Sequence, residues 1–140
     1  MDSFTFRRGK AWFSSDSPTP PWAVVFEDEG PSGHLYAFDR TRDGDDAILD
    51  AMLIYNNNAG QDLEREYLAS VQWSRDGQEC VLYVEGSAQA YCNFVTRVSF
   101  CRNNFPNFLD DSGRPGGWRT SSHAWEDGTI ARFEAEMYAE

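Results

Sequence analysis

Basic residues are scarce in this chain of 140 residues. Twelve Lys and Arg residues stand against 23 Asp and Glu residues, which gives a formal net charge of −11, and Lys10 is the single lysine. Nucleic-acid binding depends on Lys and Arg side chains that neutralise phosphates, and anionic membranes attract the same side chains. The sequence therefore predicts no nucleic-acid partner and no membrane partner, whereas a basic protein would be attracted.

Cysteines and long apolar runs are also few. Cys80, Cys92 and Cys101 are odd in number and lack C-x-x-C spacing, so neither a disulfide framework nor a zinc site is indicated. Such free cysteines favour a reducing, cytoplasmic location. The first 20 residues hold no apolar run typical of a secretory signal, and no stretch approaches the roughly 18 apolar residues of a membrane span.

Motifs that carry known chemistries are missing. Only two histidines occur, and the sequence contains no nucleophile elbow, phosphate-binding loop or dinucleotide fingerprint. The spacing from Asp39 to Asp50 approaches that of a calcium loop, but Thr41 and the final Asp50 depart from the ligand pattern. We therefore expect no metal and no cofactor, and a non-enzyme rather than an enzyme. A Cys101–His123 pair in the folded protein stays an open alternative.

Aromatic residues make up 15% of the chain, and they supply enough apolar surface for a core without cross-links. The length is typical of one domain. Residues 1–21 end in a Pro-rich stretch and are predicted to form a weakly structured lead-in, with an edge strand at Phe4 and Phe6 as the exception. Residues 22–140 are predicted to form the domain itself.

Hydrophobic periodicity predicts the elements of that domain. Alternation predicts a hairpin of two strands at 22–27 and 34–39, and a meander of three strands at 67–74, 80–84 and 88–94. Apolar residues at helical spacing predict a helix over 48–55, capped by the Asp43–Asp46 turn, and another over 129–137 with Asp127 as its N-cap. The predicted fold class is α+β, with one antiparallel sheet of about five strands, element order β-β-α-β-β-β-α and helices on one face.

Two groups of residues are candidates for binding. Acidic residues around the predicted hairpin, with two tyrosines as anchors, would form a water-facing surface for a basic partner, although the acids lie near different ends of the hairpin. These candidates are Glu27, Asp28, Glu29, Tyr36, Asp43, Asp45, Asp46 and Tyr55.

The second candidate is the loop that begins at Cys101. Its mixture of an arginine, amides and apolar side chains suits a pocket or a recognition surface. The residues of this predicted pocket are Arg102, Asn103, Asn104, Phe105, Trp118 and His123. Alternatively, Phe105 and Phe108 hold the loop onto the core.

Three segments carry a family resemblance: VVFEDEGPSGHLYAFD, ILDAMLIYN and FCRNNFP. With them the chain resembles a family of small bacterial proteins known only as a domain of unknown function. The resemblance spans about residues 22–108, and it implies a bacterial cytoplasmic protein without an assigned reaction.

The favoured hypothesis is a non-catalytic module of the immunity or antitoxin type that sequesters a basic protein. One alternative is a small ligand-binding domain or enzyme with its pocket near Arg102. Another is a homodimer or larger scaffold whose aromatic residues meet across a symmetry axis.

Overall fold

Strands dominate the computed structural model, which describes residues 1–106, 118 and 123–138. In these residues the strands are β1 (Asp2–Arg7), β2 (Ala11–Asp16), β3 (Trp22–Asp28), β4 (Ser32–Asp39), β5 (Ile48–Asn56), β6 (Glu66–Trp73), β7 (Glu79–Val84), β8 (Ser87–Asn93) and β9 (Val98–Cys101). One turn of 3-10 helix covers Gly44–Ala47, and α1 covers Asp127–Met137.

The strands form two antiparallel sheets, in the orders β1-β6-β7-β8-β9 and β2-β3-β4-β5. Side chains alternate across each strand, so every second residue points between the sheets. β4 shows this clearly, because Leu35 and Ala37 are buried while Tyr36 and Phe38 are partly exposed. The core between the sheets combines residues of both, such as Phe13, Phe26, Leu35, Met52, Val71, Leu82 and Cys92.

Helix α1 covers the outer face of the first sheet. Ile130 and Phe133 pack against Val81, Tyr91 and Phe100 in a second apolar cluster. Full burial of one such side chain contributes about 1.5–3 kcal/mol.

Polar contacts also tie α1 down. The Arg132 guanidinium donates to the carboxylates of Glu79 on β7 and Glu136 on the next helical turn. The Tyr83 hydroxyl donates to Glu134 over 3.1 Å. The helix is therefore fixed to its sheet by both apolar and polar contacts.

The two sheets meet along both of their long sides. Beside β1 and β2, the rings of Phe4 and Phe13 stack with centroids 4.5 Å apart. There the Trp73 indole N–H also donates to Ser15 Oγ over 2.9 Å, and Ser15 in turn donates to Asp2. These contacts join the first sheet to the second.

On the opposite side, the segment 101–106 covers the edge of β5. The amide of Leu53 donates to the Phe105 carbonyl over 3.2 Å, and Asn103 Nδ2 donates to the Leu53 carbonyl over 2.6 Å. Farther along, the Trp118 amide donates to the Leu49 carbonyl over 2.8 Å. These bonds satisfy backbone groups that would otherwise invite pairing with another chain.

Several predicted elements are confirmed. The hairpin is β3 and β4, the meander is β6, β7 and β8, and the terminal helix is α1. The antiparallel character of the sheet is also confirmed, but its size is wrong, because the described residues form two sheets of five and four strands. The N-cap of α1 is Glu126 rather than Asp127, which is the first helical residue.

The helix predicted over 48–55 is wrong, because this segment is β5. Its pairing with β4 shifts register twice, between Gly33 and His34 and between Ala37 and Phe38. Each bulge inserts one residue and so inverts the in–out alternation of the strand. The apolar residues then fall at a mixed spacing that resembles a helical pattern. The 3-10 turn Gly44–Ala47 lies in the predicted capping segment, before β5 begins.

The weakly structured lead-in predicted for residues 1–21 is also wrong. This segment contains β1 and β2, one strand for each sheet. The prediction of an edge strand at Phe4 and Phe6 is confirmed, since β1 lies at the edge of its sheet. The short strand β9 falls where the sequence predicts an irregular loop.

All three cysteines are free and buried. Cys80 on β7 lies directly opposite Cys92 on β8, and Cys101 ends β9. A hydrogen bond with Cys80, together with burial, raises the pKa of Cys92 above its usual range. These thiols therefore behave as small apolar core residues. Separately, in the described part of the chain no helix has the length and apolar character needed to span a bilayer.

Replacement of Gly33 by Ala is expected to destabilise the fold. A Cβ there would lie 2.6 Å from Cζ of Tyr55 and 2.8 Å from Cζ of Phe26. Neither ring can retreat easily, because Tyr55 donates to a buried carboxylate and Phe26 is buried in the core. We expect a loss of about 1–3 kcal/mol in the free energy of unfolding, measured by urea denaturation.

Gly128→Ala is the matched control, since a Cβ at Gly128 meets no atom within 4 Å. It should be neutral or slightly stabilising, because Ala has the higher helix propensity. Equal losses in both variants would contradict the steric explanation.

Candidate functional site

Asp28, predicted to face a partner, is instead a buried carboxylate at the end of β3. It accepts hydrogen bonds from the amides of Gly9 and Gly30, from the Tyr55 hydroxyl over 2.6 Å and from Asn57 Nδ2. Burial alone would raise its pKa, but these bonds hold the pKa of Asp28 below the ordinary value. The carboxylate therefore joins the β1–β2 turn, the β3–β4 turn and the end of β5.

Tyr55, predicted as an anchor for a partner, belongs to the same network. Its ring lies close to Gly33, and the Arg8 guanidinium lies over the ring at 4.3 Å from the centroid. The residue packs against the core between the sheets. The expectation that the predicted acids all face water is therefore wrong for Asp28, and Tyr55 presents no free ring to solvent.

The other predicted acids lie at two ends of the second sheet. Glu27 and Glu29 lie where β3 ends, whereas Asp43, Asp45 and Asp46 are exposed in the connection from β4 to β5. The eight-residue strand β4 separates the two ends by about 24 Å. This separation agrees with the prediction that the acids need not form one site. Their role in partner binding stays a prediction.

A second buried carboxylate, Asp50, lies between the sheets. It accepts a hydrogen bond from the Ser99 hydroxyl of β9, and its Oδ2 lies 2.9 Å from Nε2 of His123. Ser99 and His123 are both buried. Asp50 therefore links β5 to β9 and to the segment that precedes α1.

His123 has acceptors at both ring nitrogens. Nδ1 lies against the Pro106 carbonyl oxygen, and Nε2 faces the Asp50 carboxylate. Since a carbonyl can only accept, the ring carries a proton at Nδ1, and it forms an ion pair with Asp50 when Nε2 is protonated as well. Burial alone would lower the pKa of His123, but the hydrogen bond and charge of Asp50 raise it above its ordinary value.

The alternative of a Cys101–His123 pair is not formed. The Cys101 thiol bonds to Asn103 Oδ1 and to the Phe105 carbonyl, each over 3.3 Å, while the imidazole points to Asp50 and Pro106. Burial raises the pKa of Cys101, which disfavours the reactive thiolate. Ser99 donates to Asp50 rather than to the imidazole, so this cluster lacks a nucleophile–base contact.

The predicted pocket residues mostly hold the fold together. Arg102 Nε donates to the Ala88 carbonyl over 2.8 Å, and its guanidinium lies 3.8 Å from the centroid of the Trp125 ring, just before α1. Asn103 closes the turn to Phe105 and bonds to β5. Trp118 is buried in the core.

Asn104 has a positive φ of 69°, which is typical of a turn residue. Phe105 is 49% exposed, so about half of its surface is covered. Phe108 lies outside the described residues. In the parts of the chain described by the structure, no group of three or more His, Cys, Asp or Glu side chains is placed to hold a metal ion.

The outer face of the second sheet carries Glu27 and Tyr36, which were predicted as binding residues, beside Trp12, which sequence reasoning missed. One row of directly opposed residues crosses all four strands, from Trp12 on β2 through Glu27 and His34 to Leu53 on β5. Trp12 is 63% exposed. Tyr36 lies in the next row, and its ring stacks near His34 with centroids 6.2 Å apart.

Tyr36 also interacts electrostatically with Glu27. Burial and the charge of Glu27 raise the pKa of Tyr36. The face therefore combines aromatic, apolar and acidic side chains. The alternation of outward Trp12 and Ser14 with inward Phe13 and Ser15 is typical of a strand and could have indicated β2. The Pro-rich stretch that follows led instead to the prediction of a weakly structured lead-in.

The buried ion pair makes a pH-dependent contribution to stability. Because the pKa of His123 is raised in the folded state, this contribution is fully present below about pH 6.5 and is lost as pH rises through the folded-state value. His123→Gln should lower the free energy of unfolding by about 3–5 kcal/mol in acid, and by less in alkali.

Urea denaturation of both proteins between about pH 5 and pH 9 measures this difference. His34→Gln, on the partly exposed sheet face, should cost about 0.5 kcal/mol or less. A loss at His123 that stays constant over the whole pH range would argue against the ion pair.

Removal of the Tyr55 hydroxyl should weaken the Asp28 network. Tyr55→Phe leaves a buried charged acceptor short of one donor, at an expected cost of about 1–3 kcal/mol. The lowered pKa of Asp28 stabilises the fold above about pH 4, and this contribution is lost as pH falls. The variant should therefore unfold in acid at a higher pH, measured by circular dichroism.

Tyr67→Phe is the control, because Tyr67 stacks on Phe6 in the same region while Asp28 takes its hydroxyl bond from Tyr55. An acid midpoint that shifts equally in both variants would refute the role of the hydroxyl bond.

Comparison with known proteins gives a family but no reaction. An uncharacterised protein of Haemophilus influenzae is 28% identical over 85 residues, which cover 61% of this chain and 52% of the relative. The chain thus spans about half the length of the curated relative that it matches. No solved structure matches the chain. The model of DUF2251, described as an uncharacterised protein conserved in bacteria, matches residues 6–134, and the chain therefore belongs to this bacterial family.

Proposed function

We propose that this protein is a non-catalytic module that binds a basic protein partner on the outer face of the β2–β5 sheet. The observation that carries the proposal is the 63% exposure of Trp12 on that face. Tryptophan is enriched among the residues that contribute most to protein interfaces, because it offers a large rigid surface with a polar N–H.

The two outer sheet faces differ, and this difference supports the choice of surface. α1 packs on the first sheet through Ile130 and Phe133. On the second sheet the row from Trp12 to Leu53 lies on the outer side, together with Tyr36. Aromatic residues are enriched at the centre of protein interfaces, and polar side chains such as Glu27 are typical of the rim.

Charge supports a basic partner. The chain carries a formal charge of −11, and Glu27 and Glu29 lie at one end of the face. A negative field of this size accelerates the approach of a positively charged protein. Asp43, Asp45 and Asp46, at the other end of the sheet, would add to the attraction over distance rather than to the contact. An immunity- or antitoxin-type role in the cytoplasm, where buried free cysteines stay reduced, fits these features.

The test is partner capture with matched variants. The tagged protein is incubated with a lysate of its host bacterium at about 50 mM and 500 mM salt, and the captured proteins are identified and purified. We expect a protein of net positive charge whose affinity, measured by calorimetry, falls at least tenfold in Trp12→Ala and also at the higher salt.

Leu68→Ala is the control, because Leu68 is 51% exposed but lies on β6 of the other sheet. It should bind like the wild type. A partner that binds both variants equally, or a partner of net negative charge, would refute the proposed surface. Sedimentation that shows a dimer disrupted by Trp12→Ala would instead assign the face to a second copy of the chain.

A further inference from the structure

Trp12 and Glu27 are placed to act on one ligand. They are directly opposed partners on β2 and β3, and both project from the outer face of the sheet. On the other side of Glu27 lies Tyr36, in the next outward row of the same sheet. An aromatic plane thus stands beside a carboxylate on this face.

A cavity of about 580 Å³ opens at this point, and Lys10, Trp12, Glu27 and Glu29 contribute to its lining. Glu29 is exposed at its rim, at the turn from β3 to β4. Asp28 also borders the cavity, but its oxygens already accept bonds from the surrounding turns and from Tyr55. The groups that a ligand would meet are therefore one indole, two carboxylates and one ammonium.

We propose that this cavity receives the side chain of an arginine from the protein partner, a refinement that rests on the proposed function. The guanidinium would stack on the Trp12 ring and donate hydrogen bonds to the Glu27 carboxylate, with Glu29 at the rim. Tryptophan is the best aromatic partner for a cation. A guanidinium also pairs with a carboxylate through two parallel N–H groups, and it loses less hydration than an ammonium. Arginine therefore fits this cavity better than lysine.

The Lys10 ammonium is a positive charge within the site, so it repels a cationic ligand. It is the only lysine of the chain and lies in the β1–β2 turn, on the wall of the cavity. An incoming arginine meets the repulsion of this ammonium, so removal of the Lys10 charge should strengthen binding or leave it unchanged. An anionic ligand would respond in the opposite sense.

The probe is a short peptide capped at both ends with a single central arginine. Its binding is followed by the NMR shifts of the Trp12 indole N–H and the Glu29 amide in the full-length protein. We expect saturable shifts for this peptide, and binding at least tenfold weaker when citrulline, which is neutral but nearly isosteric, replaces the arginine. A lysine peptide should bind more weakly than the arginine peptide.

Variants distinguish a local contact with Trp12 and Glu27 from attraction by the overall negative charge of the protein. Glu27→Gln and Trp12→Ala should each weaken binding at least tenfold, and Trp12→Phe should recover part of the loss. Glu126→Gln removes the same unit of charge from an exposed position beside α1, and it should bind like the wild type. Lys10→Gln should bind at least as tightly as the wild type.

Three outcomes would overturn the arginine site: equal binding of the citrulline peptide, equal losses in Glu27→Gln and Glu126→Gln, or weaker binding in Lys10→Gln. The proposed function would survive them if the captured basic partner still depended on Trp12 but not on Glu27. If the arginine peptide binds as expected while no partner depends on Trp12, the site stands as a peptide site and the proposed partner surface fails.

Discussion

β5 and β9 are edge strands of their sheets, and the Asp50 carboxylate joins the two sheets at this side. It receives the Ser99 hydroxyl from one sheet and the His123 imidazole from the segment before α1. A buried ion pair loses hydration on folding, so it is tolerated only where further hydrogen bonds satisfy both partners. Here the amide of Ala51 and the carbonyl of Pro106 complete the set. With β5 fixed in this way, Asn103 and Phe105 can cover its edge.

Asp28 and Arg102, which the sequence suggested as binding residues, therefore stabilise the fold. Asp28 joins two turns and the end of β5, and Arg102 bridges β8 and the start of α1. Both groups are engaged by several partners, and a group so engaged is poorly suited to exchange a ligand. The outer face around Trp12 is different, because its side chains point to solvent on a rigid sheet. Recognition on that face would require little rearrangement of the backbone.

Local periodicity was sufficient wherever a strand kept one face in the core. β3, β4 and the meander were predicted for this reason, as was α1 from its apolar edge. β5 was not, because two bulges invert its alternation, a property of its pairing with β4 rather than of its own sequence. The Asp50–His123 contact joins residues 73 positions apart, so no local sequence pattern predicts it. Glu27 and Tyr36 on the exposed face were predicted as binding residues, but Trp12 was missed because β2 was assigned to a lead-in.

The buried thiols of Cys80, Cys92 and Cys101 can report how often the native structure opens. An alkylating reagent needs a thiolate in contact with solvent, and the native packing offers neither exposure nor a low pKa at Cys92 and Cys101. Labelling must then wait for the sandwich to open, so its rate reports how often the sheets separate. Ligands that bind only the native state would slow the reaction, and the logarithm of the rate would fall in proportion to the stability that they add.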